Sequence, residues 1–522
     1  MSRQAGGALR AARRFPLHPL LVAAYPVLFL FAHNIDEQVT LQPLWMPLAT
    51  AVGGTVLVLA GLVLLLRDWV RAGLLTSLAA ALFFGYGHAW NGLAEWLSAE
   101  WQLLLAWGVI GAIGVVMVIR ARRPGLVRAS GLLTIVAVVS VAINAWTIGA
   151  HAATSGRIAD GSASAAEPGL GLDPTHRPDV YYLIFDRYAG LAALADEYGF
   201  DNRPFYEQLE ARGFYVATES HANYIKTPLS LVSSLSMDYL DADELRAEAA
   251  SGSDRQPIHA RLRGQLPVPH ALRELGYGYV HVANWWEPTA TNEEADRVYR
   301  YAGQTEFSIA LRQTTLLRTL AEPDAPPTDP WDWEVLRQHS LYSLARLDEI
   351  PELEGPKYVF AHLLLPHDPY VFDIDGSFTG REAVQSRGQT ESYLRQLQYL
   401  NRRIIDLVDR ILAASDEAPI IILQADEGPF PDRYRTDEWA FDWRDATDAE
   451  LEEKFGILHA VYLAGGDPAE AGFYSTITPV NTFRVVFNSA FGADLPLLPD
   501  RIYAHVGLND FYEEFEVTDR LR

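Results

Sequence analysis

Apolar residues follow two different rhythms along this chain, and the change comes near residue 150. Before it, five long apolar stretches (17–32, 45–66, 72–93, 102–119 and 126–148) are separated only by short polar joints. Each approaches the length that crosses roughly 30 Å of hydrocarbon, so residues 1–150 are expected to form five transmembrane helices. Trp45, Trp69, Trp96, Trp101 and Trp146 fall near their ends, where amphipathic rings favour the membrane–water interface. Residues 151–176, rich in Gly, Ser, Ala and Pro, read as a linker. Beyond it the runs shorten. DVYYLIFD (179–186), YGYVHVAN (277–284), YVFAHLLL (358–365), PIIILQAD (419–426) and ILHAVYLA (457–464) have the form of buried strands. Between the third and fourth, Leu394, Leu397, Leu400, Ile404, Val408 and Ile411 recur at spacings of three and four, the mark of a helix with one apolar face. Continuous apolar strands alternating with amphipathic helices predict an α/β domain over 177–490, its mostly parallel sheet sandwiched by helices, followed by a tail, 491–522.

Charge separates the two regions further. Up to Ala150 there are ten arginines and five acids, whereas the remainder holds 32 basic and 61 acidic residues. An acidic domain of that size repels a phosphate backbone, which excludes nucleic acid as a partner. Arginines 3, 10, 13 and 14, then 67 and 71, then 120, 122, 123 and 128 occupy alternate joints, while acids 36, 37, 95 and 100 occupy the others. Basic joints stay in the cytoplasm. Five crossings then put the α/β domain outside, giving a multi-pass protein of the cell (inner) membrane with an extracytoplasmic, periplasmic domain. The first span is expected to remain as an uncleaved anchor. The absence of cysteine excludes disulfides, thiolate metal sites and cysteine nucleophiles.

Two predicted strands end in acid, one at Asp186 and one at Asp426 followed by Glu427. Ligands gather at the carboxyl ends of parallel strands, and three carboxylates there imply a divalent ion such as Mg²⁺, Mn²⁺ or Zn²⁺. Thr227 and Pro228 have the form of an N-cap and first helical residue, with Lys226 adding charge at a helix start that favours anions. That helix terminus offers about 0.3 to 2 kcal/mol, whereas zinc lowers a bound water's pKa from about 15.7 to about 7. Thr227 is therefore a nucleophile only if it shares the ion of Asp186 and Asp426. His367, on the turn PHDPY, is a candidate to neutralise a phosphoryl oxygen or protonate a leaving group. His281 and Trp285, beside Trp286, are candidates to line the pocket; His362, inside a strand, reads as a satisfied core histidine, and His459 as a lesser ligand candidate. His88 and Asn91 are polar positions within the third span, suited to a lipid headgroup or to the interface.

In their order, RPDVYYLIFDRY, NYIKTPLSL, PHDPY and QADEGP resemble the sulfatase-like branch of the alkaline phosphatase superfamily, over roughly residues 177–490. With five spans in front, the whole chain resembles the membrane-anchored lipoteichoic acid synthases and phosphoethanolamine transferases. The resemblance implies Asp186, Thr227, Asp426 and Glu427 as the metal set and Thr227 as carrier of a covalent phospho intermediate. It implies a transferase that moves a phospholipid headgroup, of phosphoglycerol or phosphoethanolamine type, to an envelope glycan or lipid acceptor. With water as acceptor the same site is a phosphodiesterase or phosphatase. A non-catalytic envelope scaffold is a third reading, because the family's Asp-His-Gly stands here as Asp426-Glu427-Gly428. The Cys/Ser-x-Pro-x-Arg motif of sulfatases is absent at Thr227, which argues against sulfate hydrolysis.

Overall fold

The computed structural model describes residues 15–35, 40–97, 99–164, 172, 176–250, 255–302, 305–321, 333–507 and 511–522. The chain forms two compact units, one of Met1–Ala153 with Gln304–Asp332, the other of Thr154–Gly303 with Trp333–Arg522.

The first unit holds helices α1 (His18–His33), α2 (Gln42–Leu66), α3 (Trp69–Leu93), α4 (Glu100–Arg120) and, as far as Ala153, α5 (Arg123–Ser164), so all five expected apolar stretches are helical. Helices α2 to α5 are long and apolar enough to cross a membrane; α1, with 16 residues, is shorter. Only 11% of the apolar window is buried in α2, α4 and α5, against 50% in α3. Helices of a water-soluble core would hide those side chains, so the exposed apolar faces are the ones that suit lipid. His18, fully buried, ties three helices together through Ser77 Oγ at 2.7 Å and Ser130 Oγ at 3.0 Å. Arg3, Arg10, Arg13, Arg14, Asp36 and Glu37, which enter the orientation argument, lie outside the described residues.

Two boundaries differ from expectation. The stretch 151–176 is helical through Ser164, where alanines and a lack of proline let α5 continue; residues 165–171 and 173–175 lie outside the described residues. Residues 305–321, expected within the α/β domain, belong to the membrane unit. Helix Glu306–Thr314 sets Phe307 edge-on to Phe31 at 5.3 Å, and Arg318, 3% exposed, pairs with Glu100 at 3.4 Å while covering the Trp90 ring. A Cβ at Gly87 would lie 2.0 Å from the Gln313 carbonyl oxygen, so this approach requires glycine. The amphipathic period of this segment says that one face is buried but not against what.

The second unit is built on strands β1 (Val180–Phe185), β2 (Tyr215–Val216), β3 (Gly278–Val282), β4 (Arg297–Tyr299), β5 (Lys357–Leu363), β6 (Ile420–Gln424) and β7 (His459–Tyr462). Their order is β2-β7-β6-β1-β5-β3-β4. The run from β6 to β4 is parallel, whereas β7 is antiparallel to both β6 and β2. All five predicted strands are present, and β1, β5 and β6 are buried at every residue, as expected for strands covered on both faces. Helix α6 (Thr227–Ser236) and the long α7 (Gln389–Ala414) cover the sheet with α8 (Asp448–Phe455) and α9 (Pro479–Phe491); Leu397, Leu400, Ile404, Val408 and Ile411 of α7 are buried. The segment 491–522 packs into this unit as the hairpin β8 (Tyr503–His505) and β9 (Glu514–Glu516), with Ile502, Phe511, Tyr512 and Val517 buried.

Candidate functional site

Parallel pairing brings three strand ends to one edge. In register, Ile184 of β1 lies between His362 of β5 and Gln424 of β6, so Asp186 and Asp426, each two residues beyond these, emerge side by side. His362 Nε2 is 3.5 Å from Asp186 Oδ2 and 4.0 Å from Asp426 Oδ2. One donor atom from each of the three residues lies within 4.8 Å of the others, and all three residues are buried. Two carboxylates at that separation repel by about 3 kcal/mol at an effective dielectric near 20.

The electrostatics record the crowding. Burial and the neighbouring Asp186 push the Asp426 carboxyl well above the usual carboxylate range. Burial would raise Asp186 too, but His367, His362 and Arg187 reverse this and hold it low. His362, which burial alone would depress, is held above its ordinary value by the two aspartates and Glu427. Asp186 Oδ1, both Asp426 side-chain oxygens and His362 Nε2 are buried without a hydrogen-bond partner. Buried polar atoms are normally satisfied. A divalent cation among these oxygens and this nitrogen would satisfy them together, and the donor set fits one.

Thr227 stands beside this group. Lys226 is the N-cap of α6 and Thr227 its first residue, with no side-chain capping bond, so the capping role expected for Thr227 is not taken up. Its hydroxyl approaches the Asp426 carboxylate closely enough to lower that group, without closing a normal hydrogen bond. The first turn is fixed by Ser230, whose hydroxyl donates to the Asp426 carbonyl at 2.6 Å.

Glu427 differs from its neighbour. Its Oε1 receives Lys454 Nζ at 2.8 Å and lies 3.8 Å from Arg187 Nε, leaving only Oε2 without a partner. Lys454 is fully buried, also donates to the Gly428 carbonyl at 3.1 Å, and is pushed down to about 8 by burial despite Glu427. A Cβ at Gly428 would meet the Glu453 carbonyl oxygen at 2.2 Å, so glycine is what lets this loop reach α8. Arg187 turns the chain after β1 with φ 60°, pairs with Asp368 and stacks 4.7 Å from the Phe430 centroid. Lys226 and Lys454 lie 5.0 and 3.4 Å from the same ring, within the range of cation–π attraction. Lys226 is half-buried next to Thr227, 3.4 Å from Tyr434 Oη, and burial lowers it with Glu427 partly opposing.

His367 lies within electrostatic reach of Asp186, on a turn held by Gln396, whose amide donates to the carbonyls of Pro366 and His367 at 3.1 and 3.0 Å. His281, expected to line the pocket, is instead a core residue. Its Nε2 bonds the Thr289 carbonyl at 2.8 Å and its Nδ1 the Tyr279 hydroxyl at 3.1 Å, and burial pushes it down to about 4. Trp285 is half-buried at the same strand end, but Trp286 is the tryptophan that packs edge-on to His362, at 5.9 Å. His459 uses both ring nitrogens, on Ser220 and Thr482. His362, expected as a satisfied core histidine, is satisfied at Nδ1 alone. Arg187 and Lys454 were not among the expected site residues; the arginine directly after Asp186 was the available signal.

No protein-family model matches the chain, and no curated protein matches it. Solved structures do. The C-terminal periplasmic domain of EcEptC from Escherichia coli is 13% identical with a TM-score of 0.43, the match covering 68% of this chain and 97% of that one. The same domain in complex with Zn is 13% identical with a TM-score of 0.40, covering 65% and 93%. The integral membrane protein lipooligosaccharide phosphoethanolamine transferase A (EptA) from Neisseria meningitidis is 12% identical with a TM-score of 0.37, covering 91% of this chain and 95% of that one.

Proposed function

We propose that this chain is a membrane-anchored, metal-dependent phosphotransferase that moves a phospholipid-derived headgroup to an envelope glycan or lipid acceptor. The observation that carries the proposal is the meeting of Asp186, His362 and Asp426, with unpartnered buried donor atoms, beside a threonine hydroxyl at a helix start. Asp186, Asp426 and His362, with the Thr227 hydroxyl, would hold the ion. Bound there, a divalent cation supplies the positive charge that lowers a hydroxyl's pKa and steadies charge on phosphoryl oxygens.

Charge counting supports an anionic substrate. Arg187 is matched by Asp368 and Lys454 by Glu427, so Lys226 and the α6 amino terminus remain for phosphoryl oxygens. Thr227 Oγ, its proton already lost to solvent, attacks phosphorus as the alkoxide, the bond to the lipid alcohol breaks, and His367 gives that leaving oxygen a proton, so that Thr227 is later released as the alkoxide. An acceptor hydroxyl then attacks the phosphothreonine, returns a proton to His367 and frees Thr227. Glu427 was the reason for the scaffold reading; its buried partner Lys454 gives it a place in an intact site. The motif resemblance agrees with an enzyme of the alkaline phosphatase superfamily in the inner membrane, its α/β unit periplasmic.

The test is to incubate the full-length protein with headgroup-labelled phospholipid and follow intact mass. The proposal expects a headgroup-phosphate adduct on Thr227, lost in Thr227→Ala together with transfer, by on the order of 10³-fold or more. Soluble headgroup released at the same rate with or without acceptor would contradict a transferase.

A further inference from the structure

His362 differs from the two aspartates in one respect: a ring has two nitrogens, and which of them carries the proton decides what the other offers. Its Nδ1 is 3.0 Å from Thr289 Oγ1 and 3.1 Å from Asn284 Nδ2. Asn284 Nδ2 donates to the His362 carbonyl at 2.8 Å and to Thr289 Oγ1 at 3.0 Å, which uses both of its protons. Thr289 Oγ1 in turn donates to Asn284 Oδ1 at 3.2 Å, an oxygen that also accepts the Trp286 N–H at 2.9 Å. Asn284 and Thr289 are 6% and 2% exposed, so water does not compete.

One proton assignment satisfies this ring of donors completely. In the neutral ring, the form that can ligate an ion, a proton on Nδ1 donated to Thr289 Oγ1 gives every donor one acceptor, and Nε2 presents a lone pair. With the proton on Nε2, that N–H would face carboxylate oxygens at 3.5 and 4.0 Å, beyond the usual 2.7 to 3.2 Å. Behind Thr289, its carbonyl accepts from His281 Nε2 at 2.8 Å, and His281 Nδ1 meets Tyr279 Oη at 3.1 Å. His281 is therefore one step removed from the site, bracing the residue that braces His362.

We infer that Thr289, backed by Asn284 and His281, is a positioning residue that fixes His362 with its Nε2 lone pair turned toward Asp186 and Asp426. This rests on the metal reading of the site. A nitrogen donor locked in that orientation favours borderline ions such as Zn²⁺ or Co²⁺ over Mg²⁺. Residues that orient a ligating histidine typically contribute 10- to 100-fold in metal affinity.

The experiment uses detergent-solubilised full-length protein and Co²⁺, reading affinity by chelator competition and geometry by the visible absorption of the bound ion. Thr289→Val keeps the volume and removes the hydroxyl; Thr289→Ser keeps the hydroxyl. The inference expects about 10- to 100-fold weaker Co²⁺ binding and an altered spectrum in Thr289→Val, near-native values in Thr289→Ser, and a larger loss in His362→Gln. Native affinity and spectrum in Thr289→Val would overturn it, as would equal losses in the valine and serine variants, which would mark a packing role. Wild-type protein that binds no Co²⁺ would overturn the metal reading and this inference together, whereas an unaffected valine variant beside a binding wild type defeats the inference alone.

Discussion

Asp426 and Glu427 are neighbours in the chain, both buried, and differ in how their charge is met. Glu427 is answered from inside the fold by Lys454, also fully buried, and by Arg187. Asp426 faces another carboxylate and a histidine, and neither of its oxygens has a hydrogen-bond partner. One half of the site thus has its charge balanced as folded; the other is balanced only with an added cation. The same difference separates a structural ion pair from a binding site, because the first owes its charge balance to the sequence and the second leaves room for something else.

The largest effect should come from breaking the finished half. Lys454→Met strands a buried Glu427 charge and is expected to destabilise the protein by about 3 to 5 kcal/mol, seen as a lower thermal midpoint with or without added metal. Relieving the open half should act in the opposite direction. In metal-free protein, Asp426→Asn removes the repulsion with Asp186 and is expected to raise stability by about 1 to 3 kcal/mol, while abolishing the stabilisation that Zn²⁺ gives the wild type. A lower midpoint in metal-free Asp426→Asn would place Asp426 with Glu427 and erase the contrast.

The smallest effect is a pH slope. Burial and Asp186 raise Asp426 in the fold. The folded state therefore binds more protons than the unfolded state between the ordinary carboxylate value near 3.9 and about 7. Its contribution is fully present below that window and is lost as pH rises through it, so metal-free protein should weaken across it. Saturating Zn²⁺ or Asp426→Asn should flatten this component.

Much of this was legible in the sequence. Unbroken apolar runs ending in acid were enough for β1, β6 and the convergence of Asp186 and Asp426, because strands buried on both faces leave little ambiguity. What composition does not encode is direction and partner. The antiparallel β7 reads like a parallel strand, and the helix Glu306–Thr314 carries an amphipathic period that fits either unit. His362 looked like core because a histidine in an apolar strand usually is; its free nitrogen follows from the pairing of β5 with β1 and from Thr289, 73 residues away. Lys454 sits in EEKF, which reads as a solvated helix face until α8 folds over Gly428.

The most direct test of the central claim is an anomalous-scattering map of crystals of the full-length protein soaked in Zn²⁺. The account predicts one peak per chain at this edge, about 2.0 to 2.2 Å from His362 Nε2 and from oxygens of Asp186 and Asp426, with Thr227 Oγ beside it and Glu427 still on Lys454. No peak there, or an ion held by Glu427 with the His362 ring turned away, would contradict it.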